Sequence, residues 1–158
     1  MTKQEFTKLS NDFFKKKGFL KKGKNYYNDF QNGIVGIFGF QKSNYGEYYY
    51  IEYGYAFSSV NPKMPYPNFS ELNLNCGRLK FQFETITQEV YYENLDVNVF
   101  LNTLNNYVEP FLIAGTKGKN AIIDMYIPNC EYIIGNCTLR YLGIENNDLT
   151  VYPESLWD

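Results

Sequence analysis

The stretch GFQKSNYGEYYYIEYGYAF, residues 39–57, decides the fold because a turn divides two long apolar segments within it. Residues 44–46 read Asn-Tyr-Gly, a composition typical of a tight turn. Strands are therefore predicted at residues 34–43 and 47–57, joined as a hairpin. The first of them carries apolar residues at both odd and even positions, which predicts a central strand that is covered on both faces.

The second strand of this hairpin contains most of the tyrosines in the stretch. Its odd positions read Tyr, Ile, Tyr, Tyr and Phe from residue 49 to residue 57. Because neighbouring side chains in a strand point to opposite faces, these odd positions are predicted to face the core. The even positions Tyr48, Tyr50 and Glu52 then lie together on the opposite face of the sheet.

A helix is predicted before this sheet, and further helices are predicted after it. Residues 2–17 repeat apolar side chains at helical spacing, and Thr2 with Glu5 matches a capping box. Helical spacing returns in the C-terminal third of the chain, where Pro110 is expected to kink or split one helix. A last helix is predicted at residues 129–143.

Two more strands complete the predicted sheet. Residues 25–31 precede the hairpin, and residues 77–86 alternate apolar and polar side chains after it. A proline-rich loop at residues 58–75 separates the hairpin from the last of these strands. The chain is therefore predicted to be a single α+β domain, residues 1–158, with an N-terminal helix, an antiparallel four-strand meander sheet and C-terminal helices packed on the sheet.

The composition excludes several kinds of catalytic site. The sequence contains no His, which removes the commonest general base and the commonest metal ligand. Its three Cys form no CxxC pair, so no structural zinc site is predicted. No metal ligand and no cofactor are assigned. Lys42 and Ser43 could be a Ser–Lys pair, but neighbours in a strand point to opposite faces. No catalytic residue is assigned, and a non-enzymatic role is favoured.

The cysteine count and the N-terminal residues bear on the compartment. The number of cysteines is odd, and the chain begins with the polar segment MTKQEFTKLS rather than with an apolar leader. Both features favour a reducing cytoplasm. No apolar run approaches the roughly 18 residues of a membrane helix, so no membrane association is predicted.

Charge is divided unevenly along the chain. Residues 1–24 contain eight Lys and two acidic residues, a balance of +6, whereas residues 25–158 contain seven basic and fifteen acidic residues, a balance of −8. A basic arm on an acidic body leaves open weak nucleic-acid binding through the arm. Because the acidic body would repel a phosphate backbone, the arm is interpreted mainly as a solvated helix face and the turn that follows it.

The predicted binding surface is the even face of the tyrosine strand with its neighbours. Its six residues are Lys42, Tyr48, Tyr50, Glu52, Arg78 and Lys80. Tyrosine suits an interface because it offers a large contact area at low entropic cost and keeps a polar tip. Aromatic and basic side chains together can also stack on single-stranded nucleic acid, which the acidic body disfavours.

The motif FQKSNYG, residues 40–46, carries a resemblance to a known family. With Gly18, Phe19, Lys22, Gly23, Tyr27, Ile51 and Gly54, it resembles the bacterial family called domain of unknown function 4304, over about residues 5–57 in the N-terminal half. The family is uncharacterised, so the resemblance supplies no catalytic residues. Some relatives are thought to be immunity proteins of bacterial toxin systems, which implies a toxin as a possible partner.

These observations favour a cytoplasmic protein-binding module, and more specifically an immunity protein that neutralises a bacterial toxin. One alternative is a small-ligand-binding protein or His-free enzyme, with a pocket between sheet and helices that contains Tyr50, Glu52 or Lys42. A second alternative is weak nucleic-acid binding through the basic N-terminal arm. The sequence predicts no oligomeric state.

Overall fold

The fold is known from a computed structural model that describes residues 1–130, 132 and 134–144. In these residues the chain forms helix α1 Lys3–Lys16, strands β1 Leu20–Lys22, β2 Asn25–Asp29, β3 Ile34–Lys42, β4 Tyr48–Phe57, β5 Leu74–Arg78, β6 Phe81–Gln82, β7 Ile86–Thr87 and β8 Val90–Tyr91, and helices α2 Val97–Lys117, α3 Lys119–Tyr126 and α4 Asn136–Leu142. Short 3₁₀ turns lie at Phe69–Glu71 and Ile127–Asn129. The predicted α+β class is confirmed.

Helix α1 begins at the predicted capping box and ends just before Gly18. Thr2 Oγ1 accepts a hydrogen bond from the backbone N–H of Glu5 at 3.2 Å, and the Glu5 carboxylate accepts one from the backbone N–H of Thr2 at 2.7 Å. After the last turn, Gly18 has a φ of +88°, the left-handed conformation that ends many helices. Phe6 and Phe14 are buried, so α1 packs on the sheet through one apolar face.

Removal of the N-cap should destabilise the protein by a measurable amount. We expect Thr2→Ala to lower the free energy of unfolding by about 1 kcal/mol, because the backbone N–H of Glu5 loses its acceptor. Thr7→Ala is the matched control, since the Thr7 hydroxyl donates to the Lys3 carbonyl within the helix, and it should cost less than about 0.5 kcal/mol. Urea unfolding measures both changes, and equal losses would contradict the capping role.

Within the described residues the sheet has six strands rather than the predicted four. Strands β1 to β5 lie side by side in chain order, and β8 pairs with the start of β4 beside β5; every pair is antiparallel. The strand predicted at residues 77–86 is divided, since β5 ends at Arg78 and β6 pairs with β7 instead. Strands β1 and β8 have three and two residues, too few to give a period-two signal.

The sheet has a helix face and a loop face. On the helix face, the hairpin contributes Phe38, Phe40, Ile51, Tyr53, Tyr55 and Phe57 to the main core, against α1 and α2. On the loop face, Met64, Phe69 and Leu72 of the loop between β4 and β5 pack on Tyr27, Val35, Ile37 and Ala56. The odd positions of β4 therefore face the main core as predicted, and β3 is covered on both faces.

The C-terminal helices differ from the prediction at two places. Helix α2 is continuous from Val97 to Lys117 with Pro110 inside it, so the chain is not split there. Packing of its buried face outweighs the local cost of a proline. The last helix is shorter than predicted, and Ile133 and the tail at residues 145–158 lie outside the described residues. Within the described residues, no helix is long and apolar enough to cross a bilayer.

Candidate functional site

The loop between β4 and β5 covers part of the loop face and leaves the rest open. The covered part reaches Gly39, where an added Cβ would lie 3.2 Å from the Phe69 ring. In the next row, Gln41 pairs with Tyr50, and both are accessible. We call the open part the tyrosine–arginine surface; it consists of Gln41, Tyr48, Tyr50, Glu52, Arg78 and Tyr91.

Arg78 is fixed in this surface by three interactions. Its Nε donates to Glu52 Oε1 at 3.1 Å, and its Nη2 donates to Gln41 Oε1 at 3.0 Å. Its guanidinium carbon lies 4.0 Å from the centroid of the Tyr50 ring. The side chains of Arg78 and Glu52 are 30% and 18% exposed, so the ion pair is partly shielded from water. A guanidinium held at both its edge and its face loses little freedom when a partner binds.

A bulge between β4 and β5 determines the position of Arg78. The register of the two strands shifts between Tyr53 and Gly54, and after the shift Arg78 lies opposite Glu52. Gly54 allows this approach, because a Cβ there would lie closer than 3.0 Å to the Leu74 carbonyl oxygen. The geometry of the surface therefore depends on a glycine that takes no part in the surface itself.

Three tyrosines supply the aromatic part of the surface. The Tyr48 ring meets the Tyr50 ring edge to face at 5.5 Å, and it lies 4.9 Å from the Tyr91 ring. A hydrogen bond with Tyr48 raises the pKa of Tyr50 to about 12, and the hydrogen bond that Tyr91 donates to Glu89 raises the pKa of Tyr91. Both phenols are therefore protonated at neutral pH and serve as hydrogen-bond partners.

Lys42 lies on the helix face, which corrects its predicted place beside the tyrosines. The register pairs Lys42 with Tyr49 and pairs Gln41 with Tyr50. Lys42 Nζ lies 3.0 Å from Glu47 Oε1, and this hydrogen bond lowers the pKa of Glu47. Gln41 lies opposite Tyr50 and therefore on the face of the tyrosines. Strand alternation on both sides of the turn could have predicted this position, but Gln41 was not among the predicted binding residues.

The structure separates Lys80 from Arg78, although the sequence placed them on one strand. Strand β5 ends at Arg78, and the backbone N–H of Lys80 donates to the Tyr107 hydroxyl of α2 at 3.2 Å. Tyr91 joins the surface instead, because β8 pairs it with Tyr48. The segment around Tyr91 carries no strand pattern of its own, so its place depends on a long-range pairing.

A cavity of about 450 Å³ lies away from this surface, between the β4–β5 loop and the start of α4. Two hydrogen bonds join residues of its lining: Asn61 Nδ2 donates to Asn73 Oδ1 at 3.0 Å, and Asn73 Nδ2 donates to Thr138 Oγ1 at 3.4 Å. Its lining does not include Tyr50, Glu52 or Lys42. The cavity is therefore not the pocket that the small-ligand alternative predicts around those residues.

The tyrosine–arginine surface presents phenol groups and an Arg–Glu ion pair. The phenols of Tyr50 and Tyr91 have raised pKa values, so neither is poised to give up a proton near neutral pH, and the Glu52 carboxylate is paired with Arg78. Over the described ranges, no group of three or more Cys, Asp or Glu residues is placed to hold a metal ion. The surface supplies aromatic area with polar tips.

A family model matches more than half of the chain. The model, described as Domain of unknown function (DUF4304), covers residues 10–109, from within α1 to within α2. The resemblance expected over residues 5–57 therefore continues through β5 and β8 and includes the tyrosine–arginine surface. No curated protein and no solved structure matches the chain. On the family match, the chain belongs to the DUF4304 family, a family defined by a domain of unknown function.

Proposed function

We propose that this chain is a non-enzymatic, cytoplasmic protein-binding module whose contact region is the tyrosine–arginine surface. The observation that carries the proposal is the fixed Arg78, held by Glu52, Gln41 and the Tyr50 ring in the part of the loop face that the loop leaves open. Tyrosine and arginine are enriched at the centres of interfaces. A prearranged set of both supports a role in recognition, since little side-chain freedom remains to be lost on binding.

A basic partner suits the charge of the chain. Residues 25–158 carry a balance of −8, and Glu52 and Glu89 lie within or beside the surface. An acidic field of this kind accelerates association with a basic protein. The specific form of the proposal is an immunity protein that occludes the active site of a bacterial toxin. If that toxin acts on nucleic acid, the cleft that binds the phosphates would be basic and would match the acidic charge of this chain. The resemblance to a family in which some members are thought to be immunity proteins motivates this form.

The proposal predicts a stable complex with the product of an adjacent gene. Co-expression followed by size-exclusion chromatography should yield a single complex, and its association rate should fall as salt is added. The failure of every adjacent gene product to bind would contradict the immunity form.

Two substitutions then test the surface itself. We expect Tyr50→Ala and Arg78→Ala each to weaken the complex at least about tenfold, because each removes one member of the stacked pair. Tyr45→Ala is the matched control, since Tyr45 is 95% exposed in the turn before β4, and it should change affinity less than about twofold. Isothermal titration calorimetry measures all three. If the two surface variants stay folded and bind as tightly as the native chain, the interface lies elsewhere.

A further inference from the structure

The helix face of the sheet holds a second candidate site, distinct from the tyrosine–arginine surface. A pocket of about 250 Å³ lies between α1 and the turn that joins β1 to β2. Its inner wall consists of the aromatic residues Phe6, Tyr26, Phe40 and Tyr49. Lys21 of β1 lines it together with Gly23 and Lys24 of the β1–β2 turn. The pocket therefore combines an apolar interior with a basic opening.

The rings of the aromatic wall contact one another. The Phe6 ring lies 6.0 Å from the Phe40 ring and 5.4 Å from the Tyr49 ring, and the Tyr26 ring lies 5.6 Å from the Phe40 ring. The Tyr26 hydroxyl donates a hydrogen bond to Asn11 Oδ1 at 2.5 Å, and Asn11 is not part of the pocket lining. Rings in contact of this kind offer a surface on which a flat apolar group can stack.

The aliphatic hydroxyl groups that line the pocket, those of Thr7 and Ser10, donate within α1. Thr7 Oγ1 donates to the Lys3 carbonyl at 2.9 Å, and Ser10 Oγ donates to the Phe6 carbonyl at 2.9 Å. Their protons are therefore committed to the backbone of α1. Recognition of a charged group falls to the lysines at the opening.

The opening lies in the most basic part of the chain. Lys21 and Lys24 are both exposed, and Lys21 Nζ lies 5.8 Å from the centroid of the Tyr26 ring in the pocket wall. They belong to residues 1–24, which carry a balance of +6. Two ammonium groups at one opening match the charge of about −1.5 to −2 that a phosphate monoester carries at pH 7. A monoanion would satisfy them less well.

We propose that this pocket binds a small aromatic phosphate, with its ring on the aromatic wall and its phosphate between Lys21 and Lys24. The volume of about 250 Å³ lies just below the ~300–1,000 Å³ of sites for drug-sized ligands, so it suits a ligand with one ring. The phosphate is carried either by a free small molecule or by a phosphotyrosine side chain of another protein. The site does not depend on the proposed protein-binding function, since the two regions lie on opposite faces of the sheet.

An NMR titration of the full-length ¹⁵N-labelled chain with phenyl phosphate tests the proposal. Saturable shifts are expected at the amides of residues 6–10, 21–26, 40 and 49. Benzyl alcohol, which has the ring without the charge, should bind at least about tenfold more weakly. Lys21→Glu should weaken phenyl phosphate binding at least about fivefold. Lys16→Glu, an equal charge change outside the pocket lining, should change it less than about twofold.

Three outcomes would overturn the proposal: no saturable shifts, equal affinity for benzyl alcohol, or equal weakening by Lys21→Glu and Lys16→Glu. The last would show a diffuse attraction of the whole basic arm for anions, nucleic acid included. A parallel titration with a short phosphotyrosine peptide identifies the source of the phosphate. If the peptide binds at least about tenfold more tightly than phenyl phosphate, the site is assigned to a modified partner protein. If the peptide falls short of that tenfold gain, the site is assigned to a free small molecule.

Discussion

Phe111→Ala should lower the free energy of unfolding by about 3–5 kcal/mol, which is the range for a large aromatic side chain removed from a close-packed core. The Phe111 side chain is fully buried, stacks on the Tyr55 ring at 4.1 Å and meets the Phe38 ring edge to face at 4.9 Å. Gly36 leaves space for it, since a Cβ there would lie closer than 3.0 Å to the Phe111 ring. Shortening the side chain leaves a cavity under the middle of the hairpin.

The loss can be assigned to packing because the backbone of residue 111 keeps its role. The Tyr55 hydroxyl donates to the Phe111 carbonyl at 2.7 Å, and alanine retains that acceptor. Ile113→Ala is the matched control on the same helix, because Ile113 is 50% exposed, and it should cost less than about 1 kcal/mol. Guanidinium unfolding followed by circular dichroism measures both. Similar losses for the two variants would mean that α2 does not pack on the sheet through Phe111.

The core face of β4 could be predicted because it depends on a local rule. Alternation alone assigns Ile51, Tyr53 and Tyr55 to the core, and all three are buried there. The capping box of α1 is equally local, since its two hydrogen bonds join Thr2 and Glu5, three residues apart. Features of this kind need no knowledge of the rest of the fold.

The candidate site could be predicted only in part because its geometry depends on non-local pairing. Tyr48, Tyr50 and Glu52 follow from alternation, whereas the position of Arg78 depends on the bulge and that of Tyr91 on β8. The apolar residues of the β4–β5 loop follow no regular spacing, yet the packing of this loop decides how much of the loop face stays open. Sequence patterns report which face a side chain occupies, not which distant segment lies on that face.

Gly54→Ala should cost about 3 kcal/mol, although alanine at an unobstructed strand position would stabilise the protein relative to glycine. The added Cβ would lie closer than 3.0 Å to the Leu74 carbonyl oxygen and to the Leu72 side chain, and 3.3 Å from the Asn75 Cα. The Leu74 carbonyl and the Asn75 Cα both belong to the backbone of β5, so no side-chain rotation relieves the overlap with them. The strand itself has to move.

This movement should also weaken the candidate site, because β5 carries Arg78 into register with Glu52. We expect folded Gly54→Ala protein to lose the Arg78 Nε–H chemical shift of the native ion pair and to bind the partner more weakly. Gly39→Ala is the matched control on the neighbouring strand, since its Cβ meets the side chains of Asn25 at 2.9 Å and Phe69 at 3.2 Å. Those side chains can shift, so its cost should be about 1 kcal/mol. Urea unfolding compares the two, and a Gly54→Ala protein as stable as the native chain would show that the bulge does not hold Arg78 in place.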